Sequence, residues 1–156
     1  MTKSSPRSVR DRFAGLVMLG RTTDKARANN AGALGDYDFG CPMDQGVLSF
    51  VGIEPPEFGR RVAELDSDAR IEAWVRESYL DRKSMADIAR FNDDFLVAPV
   101  PLPDGHPLKF IPNEYFYQLR TQLAADRSDL TSLADILDID EGRLVPQGGF
   151  ASSLER

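Results

Sequence analysis

The residues of this chain best suited to chemistry gather in one stretch: Arg21, Asp24, Lys25 and Arg27, then Tyr37, Cys41 and Asp44. Asp24 and Arg27 stand one helical turn apart. Such a pair either bridges at the surface, the commoner arrangement, or holds an anion and moves a proton. In the second case Arg21 or Arg27 binds a carboxylate, while Asp24, Lys25 or Tyr37 transfers the proton. Cys41 precedes Pro42, and a proline suits the first helical position, so Cys41 takes the N-cap. There the helix dipole favours thiolate and a nucleophilic role, or the small side chain simply caps and buries. Asp44 opposes the thiolate by its charge, or it caps the free amides and completes a box with Cys41. Tyr115 and Tyr117 flank Phe116 and point in different directions around one helix, so at least one ring leaves the core. They line a pocket for an aromatic ligand or cover a subunit interface.

The elements that must position these residues read as helices throughout. The hydrophobic period places the first helix over Ser8 to Asn29. On it Phe13, Val17, Gly20, Asp24, Arg27 and Ala31 share one stripe that changes from apolar to charged. A second helix runs from Pro42 to Val51 and stops at Gly52, and a third opens at Pro55-Pro56 and reaches Leu65. The fourth follows Asp66-Ser67, with Ile71, Trp74, Val75 and Tyr79 at core spacing. Ser84 and Asp87 cap a fifth, a sixth begins near Pro112, and Ser132 and Asp135 cap a short seventh at Leu133–Leu137. Strand signals are thin, with at most a tight hairpin at Ala33–Phe39. The expectation is an all-α, compact single-domain bundle of six or seven helices. Residues 8–145 form it, residues 1–7 are a flexible N-terminus, and residues 146–156 are an extended tail. Residues 97–112 hold Pro99, Pro101, Pro103, Pro107 and Pro112, too many for a helix interior, and form a loop.

Composition removes several function classes. Of 156 residues, 19 are Lys or Arg and 25 are Asp or Glu, giving a net charge of −6. That balance argues against nucleic acid, which demands a clustered basic face. One Cys and one His preclude an intrachain disulfide and argue against the usual His/Cys metal site. His106 lies in the proline-rich loop, so a Cys–His dyad requires that loop to fold back. No glycine-rich phosphate loop, nucleophile elbow or HExxH motif occurs, and no cofactor is expected. The longest apolar run, Leu16–Leu19, is far below the roughly 20 residues of a membrane span. No targeting segment is seen, and a cytoplasmic protein is the default.

The blocks Arg21–Ala28, Gly32–Asp38 and Cys41-Pro42-Met43-Asp44 resemble a bacterial family of unknown function, DUF5069. Its members carry an Asp-Lys-x-Arg-Ala stretch followed by a Gly-x-Tyr-x-x-x-Cys-Pro-Leu-Asp segment. Residues 126–143 resemble the family's closing segment, which ends Leu-Asp-x-Asp-Glu-Gly-Arg. Leu133 or Ala134 stands where the family pattern has Trp. The resemblance implies a compact helical domain with a polar cluster where the first helix meets the Cys-Pro turn; it implies no activity, cofactor or substrate.

Two functions fit these residues. The preferred one is an enzyme independent of metal and nucleotide. It performs lyase or isomerase acid/base chemistry on a small anionic or aromatic molecule, with Asp24, Lys25, Tyr37 and Cys41 catalytic. Arg21, Arg27, Asp44, Tyr115 and Tyr117 then bind the substrate. The alternative is a non-catalytic binding or regulatory module whose polar cluster is structural. A homodimer through the aromatic helix is compatible with either.

Overall fold

The computed structural model describes residues 5–150. They form seven α-helices: α1 (Leu19–Asn30), α2 (Pro42–Val51), α3 (Pro55–Glu64), α4 (Asp68–Val75), α5 (Met85–Val97), α6 (Asn113–Leu123) and α7 (Leu133–Asp140). Among the described residues there is no strand, only two isolated bridges, so the fold is all-α. Among the described residues no helix is long and apolar enough to cross a membrane. The chain divides into two compact units, residues 1–91 and 92–156, with the boundary inside α5.

In the first unit the helix ends follow local chemistry. Pro42 occupies the first position of α2, and Gly52 ends it in the left-handed conformation at φ 101°. Ser67 caps α4 by accepting from the Arg70 amide, and Ser84 accepts from the Asp87 amide at the start of α5. After Val75 the helix widens into a π-helical turn, Arg76–Leu80. The core is built from Val9, Phe13, Leu16–Leu19, Val47, Leu48, Phe58, Ile71 and Val75, and α1 packs on α2 and α3.

The first helix does not begin at Ser8. Residues 8–18 form an irregular segment closed by a tight turn, in which Phe13 and Leu16 exchange both backbone hydrogen bonds at 2.9 and 3.0 Å. Ala14 and Gly15 take φ of 52° and 81°, the positive values that a type I′ turn needs. Its apolar residues Val9, Phe13, Ala14 and Leu16–Met18 are buried while Asp11 and Arg12 are exposed, so their spacing imitates a helical period without a helix. Phe13 and Val17 therefore leave the expected stripe, and of it only Gly20, Asp24 and Arg27 remain on α1. The suggested hairpin at Ala33–Phe39 is likewise a run of turns. Of the expected N-terminal segment 1–7, residues 1–4 lie outside the described residues, and Arg7 is bound to Asp24 and Asp68.

In the second unit α6 packs on α7, around Phe95, Leu102, Leu108, Phe116, Leu130 and Ile136. Ser132 caps α7, which continues three residues beyond the expected end, to Asp140. The proline-rich segment is an ordered loop organised by one cation: the Lys109 ammonium donates to Pro99 O, Leu102 O and Asn113 Oδ1 at 3.1, 2.8 and 2.8 Å. The start of the tail is also held. Arg127 donates to the Val145 and Pro146 carbonyls, and the Gly148 amide donates to Asp129. Residues 151–156 of the expected tail lie outside the described residues.

Candidate functional site

Helix α1 places its charged residues in two separate networks. The buried one centres on Asp44, whose side chain is fully buried at the start of α2. Its carboxylate accepts from Thr22 Oγ1 at 2.7 Å, from the Lys25 ammonium at 2.8 Å and from the Gly40 and Cys41 amides at 2.9 and 3.3 Å. Four donors around one buried carboxylate compensate its lost hydration. The Cys41 contact is the capping box expected at this helix start. Lys25 is 5% exposed and donates also to Cys41 Sγ at 3.3 Å. Cys41 itself is partly exposed.

The second network sits at the surface end of the same helix. Asp24 Oδ1 and Oδ2 accept from Arg7 Nη2 at 2.8 Å and Nε at 3.0 Å, and the Arg7 amide adds a third bond at 2.9 Å. Arg27 turns to Asp68 at 2.7 Å and reaches Asp24 only at 4.0 Å. Arg7 also donates to Asp68, at 3.1 Å. The four groups therefore alternate in sign around a ring. Gly20 makes room for it, since a Cβ there would stand 3.3 Å from Arg7 Nε. The Asp24 hydrogen bond, working against burial, holds the Arg7 guanidinium above its usual pKa. Burial acts against charge on Asp68, but the Arg27 hydrogen bond and the Arg7 and Arg27 charges outweigh it, and the carboxyl lies below its usual range.

Arg21 is 3% exposed; its guanidinium donates to Arg7 O at 3.2 Å and stacks over the Tyr37 ring at 5.6 Å. The Tyr37 hydroxyl donates to Ser5 Oγ at 3.4 Å. The structure thus brings Lys25, Cys41 and Asp44 into direct contact and diverts Asp24 and Arg27 into the surface ring. Tyr115 and Tyr117 belong to the second unit, on α6, 53% and 41% exposed beside a fully buried Phe116. His106 is engaged in that unit too: its Nδ1 accepts from the Leu108 amide, and its Nε2 lies 3.4 Å from Asp94. Leu133 and Ala134, at the Trp position of the family pattern, are core residues of the second unit.

Two concavities flank other residues. One, of about 620 Å³, is lined by Gln45, Ser49, Gly52, Ile53, Glu54 and Pro55. The other, of about 210 Å³, is lined by residues 104–105 and 109–112. Neither is lined by any of the nine residues expected to form a site. Among the described residues no three His, Cys, Asp or Glu side chains come together as a metal-binding group.

Arg7, Thr22 and Asp68 were invisible as members of these networks in the sequence. Arg7 and Asp68 stand 17 and 61 residues away from their partners Asp24 and Arg7, in segments without a motif. Fold and geometry define the class as an all-α protein whose first helix carries a buried and a surface ion-pair network. The chain matches the model of the domain of unknown function DUF5069 over residues 3–143, and it belongs to that family. No curated protein matches it.

Proposed function

We propose that this protein is a non-catalytic binding or regulatory module in which the polar cluster is structural. The observation that carries this reading is the Asp44 carboxylate, fully buried and supplied with four donors from Thr22, Lys25, Gly40 and Cys41. A carboxylate in that state fastens the turn before α2 onto α1 and has no direction left open for a substrate. Asp24, with three bonds from Arg7, is fastened likewise. The binding partner that fits is another protein, met by a chain of net charge −6 with the Tyr115 and Tyr117 rings outward; a second copy of the chain qualifies. A single cysteine and no disulfide suit a cytoplasmic setting.

Thermal and urea denaturation of Lys25→Met and Asp44→Asn test this reading. A structural cluster predicts that each variant loses several kcal/mol of stability, because each leaves a buried charge or buried donors without a partner. Groups kept for turnover are commonly stability-neutral or stabilising when replaced. Unchanged or raised midpoints in both variants overturn the module.

One contact favours the enzyme instead. The Lys25 ammonium lies 3.3 Å from a partly exposed thiol at a helix N-cap, an amine and a nucleophile side by side. In that reading Lys25 and Cys41 carry lyase or isomerase chemistry on a small anionic or aromatic molecule. Thiol alkylation at Cys41 no faster than that of a free cysteine, and insensitive to Lys25→Met, would remove it.

A further inference from the structure

The contact between Lys25 and Cys41 leads to a covalent chemistry that neither functional reading requires. Lys25 Nζ and Cys41 Sγ are 3.3 Å apart, on α1 and at the cap of α2. The amine is 5% exposed and fixed by Asp44, so it is held against the sulfur, while Cys41 as a residue is partly exposed, which gives a small oxidant a way in. A single oxygen atom inserted between the two spans such a gap with little backbone movement. We propose that Lys25 and Cys41 form an oxygen-bridged Nζ–O–Sγ cross-link under peroxide, a reversible oxidation state that locks α1 to α2. The proposal rests on this geometry and stands or falls independently of the module reading.

The step balances with peroxide as the oxidant. The S–H bond and one N–H bond break, and one S–O and one N–O bond form. Thiol, amine and two hydrogen peroxide molecules give the bridge and three water molecules. Sulfur and nitrogen are oxidised, and the two O–O bonds are reduced. The extra proton of the ammonium passes to the Asp44 carboxylate, 2.8 Å away, or on to solvent. Four equivalents of a thiol reductant reverse the bridge: attack on sulfur breaks the S–O bond and leaves a hydroxylamine on Lys25, and further thiol reduces its N–O bond, giving thiol, amine, one water and two disulfides of the reductant. The closed loop, residues 25–41, contains the glycine-rich turns, so the bridge removes chain entropy from the unfolded state as a disulfide does.

The experiment treats the full chain with hydrogen peroxide and measures its intact mass and melting temperature before and after a thiol reductant. The bridge predicts a gain of about 14 Da, one oxygen gained and two hydrogens lost, that the reductant removes. It also predicts a higher melting temperature in the oxidised form. Proteolysis of the oxidised protein should yield one linked peptide containing Lys25 and Cys41. Lys25→Arg, which keeps a cation beside Asp44, and Cys41→Ser should each abolish the mass gain. The linked peptide in the native sequence provides the readout should either variant fold poorly. Gains of one to three oxygens on Cys41 alone, a loss of two hydrogens from a direct N–S bond, or disulfide-linked dimers would each overturn the bridge.

Discussion

Two ion-pair networks share helix α1 and differ in what surrounds them. In one, Lys25 and Asp44 are 5% and 0% exposed, and the carboxylate takes four donors, two of them backbone amides. In the other, Arg7, Asp24, Arg27 and Asp68 are between 28% and 43% exposed and alternate in sign around a ring. Asp24 and Lys25 are consecutive, yet a 100° turn of the helix sends one to the surface and the other to the interior. Water is excluded from the first network and screens the second, so the same chemistry has different weight in each. A charge is expensive to orphan where water cannot replace its partner, and cheap where it can.

The largest expected effect comes from removing Asp44. Asp44→Ala leaves Lys25 as an unpaired buried ammonium and should cost about 3–5 kcal/mol in urea denaturation. A loss below about 1 kcal/mol would erase the distinction between the networks. Next, Lys25→Met combined with Asp44→Leu should be more stable than either change alone, because the double variant leaves no uncompensated charge. Additive losses in that cycle would mean that the pair is not coupled.

The surface ring should respond less. Asp24→Asn is expected to cost about 1–2 kcal/mol, and less in high salt. A loss equal to that of Asp44→Ala and unaffected by salt would place the ring with the buried network. The second unit offers a further step down the same scale. There the Arg127 hydrogen bond, aided by the Gly148 amide and opposed by desolvation, holds Asp129 down to about 2. Its folded pKa lies below the unfolded value of about 3.9, so its stabilisation is complete above that value and is lost as pH falls towards 2. With the side chain 16% exposed, about 1 kcal/mol should disappear across that window, and the Asp129→Asn variant should not show this loss. A titration midpoint near 4 would show that the Arg127 clamp is open in solution. Smallest of all, Arg60→Ala removes pairs to Glu57 and Glu64 on the exposed face of α3 and should change stability by less than about 0.5 kcal/mol.

Local signals made much of the fold legible. Pro42 and Gly52 marked both ends of α2, and Ser67, Ser84 and Ser132 marked the starts of α4, α5 and α7, because caps act within a few residues. The first helix was misread for the opposite reason. The apolar residues of 8–18 are buried by an irregular turn at a spacing that imitates a helix, and the positive φ at Ala14 and Met18 has no side-chain signature. Of the site, Asp44 as a capping residue was readable in the spacing Cys41-x-x-Asp44. That it also gathers Thr22 and Lys25 was not, since those contacts cross 22 and 19 residues.

The sequence by itself determined the all-α class, most helix limits, the capping box at Cys41 and the family to which residues 3–143 belong. Each of these depends on interactions between residues close in the chain. The tertiary structure alone decided which partner each charge takes: Asp24 with Arg7, Arg27 with Asp68, Lys25 with Asp44 and Cys41. Pairing of that kind depends on distances and on the exclusion of water, both set only when distant segments pack.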